Sequence, residues 1–186
     1  MKISAVLLAG GKSRRMGEDK ATILFRNAPL WQIQVDLLRK LQFMALFISA
    51  RTDPSWRPAD LEFVPDDEPS RGPISGIAAA LSRISGGHLL ALAIDMPFMT
   101  ESYLRSLCEK VAPGRGVVPI IEKRAEPLAA IYPRDACDDV AGALSGSDFS
   151  LQSLVGKLVA AGKLQSIQVS EEERAFFRNL NEPGDL

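Results

Sequence analysis

Short apolar runs alternate with segments of helical period along most of this chain, and that alternation narrows its possible folds more than any other feature. Strand-like runs are predicted at Ile3–Leu8, Ala45–Ala50, Leu61–Val64, His88–Ile94, Gly116–Ile121 and Pro127–Tyr132. Between them, Leu30, Ile33, Leu37, Leu38 and Leu41 line one face of a helix, as do Ile74, Ile77, Ala78, Leu81 and Ile84, with Pro73 in the first turn. Thr100 predicts the N-cap of a third helix running through Val111, and Ser150–Ala161 carries a fourth apolar stripe. Strand–helix–strand order implies an α/β fold, a mostly parallel sheet with helices on both faces. At 186 residues the expectation is one domain over residues 1–186. Ligands of such sheets bind at the carboxyl ends of the strands, which puts Leu8–Gly11, Asp66 and Asp95 on one rim.

The first run ends in Gly10-Gly11, and Lys12, Arg14, Arg15 and Lys20 follow at once. Glycines let backbone N–H groups approach a base or phosphate, and the cations neutralise phosphate charge, so this stretch reads as a nucleoside triphosphate loop. It is neither of the two common phosphate motifs. A P-loop needs glycine where Val6 stands, and the dinucleotide fingerprint needs spaced rather than adjacent glycines.

Asp95 closes the strongest apolar run and precedes Met96-Pro97. A carboxylate there suits Mg²⁺, which takes one or two carboxylates plus phosphate oxygens; it equally suits a cap before the next helix. Asp66, in Asp66-Asp67-Glu68, offers an acceptor for a guanine edge or a ribose hydroxyl, while the two following acids read as solvated. Gly72 and Gly76 flank a helix start, either for ligand approach or for packing. Asn179 and Asn181 share one side of an extended segment and carry both donors and acceptors, as base or pterin recognition requires and as a turn before Pro183 also would. Glu126-Pro127-Leu128 opens a core strand, and only its first residues reach toward a ligand. His88, the sole histidine, begins a strand and is assigned no catalytic role.

A net charge of −1 argues against nucleic acid or anionic lipid as a partner; the positive charge is local and suits a small anion. Cys108 and Cys137 lack metal-ligand spacing and read as reduced thiols on helices. With no early membrane-length apolar run and no cleavable leader, the expected location is cytoplasmic.

Together these residues resemble the molybdenum cofactor guanylyltransferases over essentially the whole chain. The resemblance rests on residues 8–21, Leu-Ala-Gly-Gly-Lys-Ser-Arg-Arg-Met-Gly-Glu-Asp-Lys-Ala, with Pro29-Leu30-Trp31, Asp66, Gly72-Pro73-Ile74-Ser75-Gly76-Ile77, Asp95-Met96-Pro97, Glu126-Pro127-Leu128 and Asn179-Leu180-Asn181-Glu182-Pro183. It implies a three-layer α/β/α, Rossmann-like sheet of the glycosyltransferase-A type. It also implies transfer of GMP from GTP to the terminal phosphate of Mo-molybdopterin, with Mg²⁺ as cofactor. Nucleotide contacts would come from Leu8, Ala9, Gly10, Gly11, Lys20, Asp66 and Asp95, the metal ligand from Asp95, and pterin contacts from Asn179 and Asn181. Lys20, Asp95 and Arg15 would carry the charge compensation of catalysis, and a molybdoenzyme or cofactor-insertion protein would be the downstream partner. Two positions depart from the family pattern: Ser49 stands where Asn is frequent, and Glu182 where Thr is usual. Gly10 favours the guanylyl branch over cytidylyl relatives with Leu-Ala-Ala-Gly. A sugar-phosphate nucleotidyltransferase and a non-catalytic pterin or nucleotide carrier are the other readings.

Overall fold

Residues 2–10, 19–66 and 69–180 are described by the structure, a computed structural model. In chain order come β1 (Ile3–Leu8), a 3-10 turn (Lys20–Thr22), the hairpin β2 (Leu24–Phe25) and β3 (Ala28–Pro29), α1 (Leu30–Lys40), β4 (Leu46–Ala50) and β5 (Glu62–Pro65). Then follow α2 (Pro73–Leu81), β6 (His88–Ala93), α3 (Glu101–Glu109), β7 (Gly116–Ile121), β8 (Arg124–Ala125) and β9 (Ala129–Pro133). The chain closes with a 3-10 turn (Arg134–Ala136), α4 (Cys137–Ser145), α5 (Leu151–Ala160), β10 (Leu164–Gln168) and a 3-10 turn (Glu173–Phe177).

The main sheet has the order β10-β7-β9-β6-β1-β4-β5, with β8 paired to the end of β7. β1 and β6 are buried along their whole length, as apolar strands covered on both faces must be. Side chains alternate across the sheet. Ala5 and Leu7 of β1, with Leu90 and Leu92 of β6, enter the core layer shared with α1 and α3. Val6, Leu8, Leu89 and Ala91 enter the opposite layer, under α2, α4 and α5. The three-layer arrangement expected from the sequence is thus present.

Two features were not legible. The apolar run at Pro127–Tyr132 becomes β9, which runs antiparallel to both neighbours, β6 and β7; period-two patterning carries no information about direction. α4 and β10 left no clear apolar pattern, because α4 buries only Val140 and β10 is a largely exposed edge. Both cysteines do lie on helices, and neither forms a disulfide. His88 is buried at the start of β6, with Nε2 near the carbonyls of Ala112 and Arg115 at 3.0 and 3.2 Å. Among the described residues no helix is long and apolar enough to cross a membrane.

Candidate active site

The carboxyl ends of β1, β4 and β5 form one half of the rim. The Ala9 N–H donates to the Ser49 carbonyl at 2.8 Å and the Asp66 N–H to the Ala50 carbonyl at 3.0 Å, so the chain leaves all three strands in register. Asp66 is only 8 % exposed, and its carboxylate accepts from Ser49 Oγ at 2.8 Å and from Ser70 Oγ at 3.3 Å. Two glycines make room for it. A Cβ on Gly10 would lie 2.8 Å from Asp66 Oδ2, and one on Gly76 would lie 2.6 Å from Ser49 Oγ and 2.8 Å from Leu8 Cδ2. The space beside Gly10 is thus first required by the Asp66 carboxylate. Ser49 is fully buried, so its hydroxyl acts through Asp66, a link with no signal in sequence spacing.

At the centre of the rim, Lys20 Nζ lies 2.8 Å from Asp95 Oδ2 although the two are 75 residues apart. Asp19 aims the lysine. Its side chain caps the Lys20–Thr22 turn by accepting from the Ala21 N–H at 3.0 Å, and it accepts from Trp56 Nε1 at 2.8 Å. Trp56 is itself stacked on Trp31, with centroids 5.7 Å apart and planes 15° from parallel. On the other side, the Ile94 N–H donates to the Leu8 carbonyl at 3.2 Å, which brings Asp95 beside the glycine turn. The α3 cap is Thr100, which accepts from the Tyr103 N–H, so the alternative role of Asp95 as that cap is not realised.

Beyond Asp95, the Leu180 N–H donates to the Asp95 carbonyl at 3.0 Å. That bond places exposed Asn179 next to the central acid, while Leu180 and Phe177 anchor the segment in the core. Arg178 lies 5.2 Å over the Phe98 ring, tying the same segment to the loop after Asp95. Gly11, Arg15 and Asn181, three of the expected site residues, lie outside the described residues, as do Asp67, Glu68 and Glu182.

A family description, the MobA-like NTP transferase domain, matches residues 5–161. The chain belongs to this family. A protein of Opitutus terrae named "Probable molybdenum cofactor guanylyltransferase" is 35 % identical over 98 % of this chain and 92 % of its own length. Molybdopterin-guanine dinucleotide biosynthesis protein A from Archaeoglobus fulgidus superposes with a TM-score of 0.78 at 24 % identity, covering 98 % of this chain and 94 % of that one. Rv0371c of Mycobacterium tuberculosis, solved in complex with manganese, shares the fold at a TM-score of 0.66 and 19 % identity over 91 % and 89 % of the two chains.

MobA-like transferases generally depend on a divalent metal ion, and the donor set here fits a hard one. Asp95 supplies a carboxylate oxygen about one-fifth exposed, and a cation, the Lys20 ammonium, already sits against it. No group of three or more His, Cys, Asp or Glu that could enclose a metal occurs among the described residues. A lone carboxylate at an open rim suits an ion that takes its remaining ligands from water and phosphate rather than from a protein cage. Ser70, Asp19 and Trp56 are residues of the candidate site that sequence reasoning missed. Only Asp19 carried a readable signal, an N-cap residue immediately before the turn that bears Lys20.

Proposed function

We infer that this chain is a molybdenum cofactor guanylyltransferase, a single nucleotidyltransferase domain that makes molybdopterin guanine dinucleotide from GTP and Mo-molybdopterin. Family membership and the 35 % identical relative support the activity. The observation that carries the mechanism is the 2.8 Å approach of Lys20 to Asp95, midway along the rim. An oxygen of the acceptor's terminal phosphate forms a bond to the α-phosphorus of GTP, the bond from that phosphorus to the bridging β-oxygen breaks, and pyrophosphate leaves with the electron pair. The attacking phosphate is already an anion, so no protein nucleophile or strong base is required.

What the residues supply is alignment and charge compensation. Leu8, Ala9 and Gly10 present backbone to the nucleotide, and Asp66, fixed by two hydroxyls, accepts from its nucleoside. Lys20 exchanges its carboxylate partner for phosphate oxygens, and Arg15 and Gly11 belong to the same proposed phosphate grip. Asp95 would hold Mg²⁺, which when bound neutralises phosphate charge. Asn179 and Asn181 would contact the pterin side of the acceptor, and delivery to a molybdoenzyme or insertion protein would follow in the cytoplasm.

Pyrophosphate release measured with GTP, CTP, ATP and UTP in the presence of Mo-molybdopterin tests this reading. GTP is expected to be preferred, with release dependent on the pterin. A preference for CTP would transfer the chain to the cytidylyl branch, and GTP binding without any product would make it a carrier.

A further inference from the structure

Glu126 belongs to a motif that the reaction above leaves without a role, and its surroundings are built with unusual care. It lies just before β9, and the Ala93 N–H donates to the Leu128 carbonyl at 2.9 Å, so residues 126–128 meet the end of β6 beside Asp95. All four carbonyls from Ala125 to Leu128 are engaged. Ala125 accepts from Gln152 Nε2 at 2.8 Å, Glu126 from the Ala129 N–H at 3.2 Å, Pro127 from the Tyr132 hydroxyl at 2.8 Å, and Leu128 from Ala93. The Ala125 and Glu126 N–H groups are bonded as well, to Gln152 Oε1 at 3.1 Å and to the Pro119 carbonyl at 2.8 Å.

The side chain held on this rigid support has no hydrogen bond and no ion pair among the described residues. Burial pushes the Glu126 carboxyl up, and the field of Arg124 only partly offsets this. Nearby, the Tyr103 hydroxyl is buried without a partner, and after burial itself the fields of Glu173 and Glu126 push that phenol up further. With no donor from the protein, a half-buried carboxylate takes its hydrogen bonds from water or from a ligand, so this position is open to a ligand that brings donors.

We propose that Glu126 recognises the pterin ring of the acceptor, its carboxylate accepting the paired N–H donors of a 2-amino-4-oxopyrimidine edge. The inference rests on the guanylyltransferase reading only for the identity of the acceptor. Guanine carries the same donor edge, so position must choose between the two rings. Asp66 follows β5 and Glu126 precedes β9, four strands away in the sheet order. At one strand spacing per step those two strands are about 19 Å apart. Although the Asp66 carboxylate reaches across to Gly10 at the end of β1, two spacings, about 10 Å, still separate that point from β9, too far for both to read one ring edge. The Lys20–Asp95 pair lies between them, where the two phosphate-bearing substrates would meet. A metal ion is a poorer occupant, since no acidic cluster accompanies Glu126 among the described residues.

The test is a fluorescence titration of the full chain, saturated with GTP, against 6-hydroxymethylpterin and against 6-hydroxymethyllumazine, which has an oxo group in place of the 2-amino donor. Wild type is expected to prefer the pterin by about tenfold or more. Glu126→Gln is expected to weaken pterin binding about 10- to 100-fold and erase the preference, as loss of a charge-assisted pair requires. GTP affinity should stay within about twofold and thermal stability should not fall. Glu126→Asp, which keeps the charge on a shorter arm, is expected to be intermediate and to retain the preference. Unchanged pterin binding in Glu126→Gln, or a wild type indifferent to the two rings, overturns the proposal; an equal loss of GTP affinity assigns Glu126 to guanine and overturns it as well. A Glu126-dependent pterin preference in a chain that forms no guanylylated product would instead sink the guanylyltransferase reading and leave the pterin site standing.

Discussion

The two halves of the rim hold their carboxylates in opposite ways. On the parallel side, Asp66 is enclosed, accepts two hydroxyl donors and fills the space left by Gly10 and Gly76. On the side of the antiparallel strand, Glu126 has its backbone fully bonded and its carboxylate bare. A carboxylate already satisfied by the protein is a fixed wall whose remaining lone pairs point in set directions. One left without donors from the protein takes its hydrogen bonds from water or from a ligand, so it contributes discrimination only when the right edge arrives. Between them, the Lys20–Asp95 pair is about one-fifth exposed, open enough at the rim for a ligand to reach both charges.

Loss of the central acid should have the largest effect. Asp95→Ala is expected to abolish pterin-dependent pyrophosphate release while far-UV circular dichroism and Tm stay close to wild type; undiminished turnover would remove Asp95 from the site. Lys20→Ala should raise the barrier by about 3 kcal/mol, read as a fall of at least 100-fold in kcat/KM. A loss confined to KM would make Lys20 a binding group only.

Gly10→Ala sharpens the contrast between the halves. Its Cβ would press on Asp66 Oδ2 at 2.8 Å, so the expected cost is about 1–3 kcal/mol of stability together with weaker GTP binding. Pterin affinity, set on the other half, should be unchanged; an equal loss on both sides would show that the halves are not independent.

The smallest effect is the most diagnostic. Burial holds the folded-state pKa of Glu126 above its ordinary value near 4.5. Ionisation therefore costs stability, and that cost grows as pH rises from the unfolded value through the folded one. Glu126→Gln should have a Tm equal to or slightly above wild type at neutral pH, with the gap closing below about pH 4. A lower Tm at neutral pH would mark Glu126 as structural. Groups placed for function at the expense of stability behave in the expected manner.

Much of this arrangement was legible before any coordinates. The alternation of apolar and helical segments predicts the three layers, and the rule that ligands gather at strand carboxyl ends puts Gly10, Asp66 and Asp95 together. Asp19 and Thr100 are capping residues with recognisable positions. The direction of β9, the partnership of Ser49 with Asp66 and the clamp of Gln152 on Ala125 were not, because each joins residues distant in the chain through contacts that leave no periodic trace.

By itself, the sequence determined which segments are strands or helices and which residue types could handle a triphosphate, since periodicity and side-chain chemistry are local properties. Only the tertiary structure decided which carboxylate is satisfied and which waits for a ligand. Hydrogen-bond partners are chosen by the packing of strands that meet in space, and burial converts the absence of a partner into a free-energy cost.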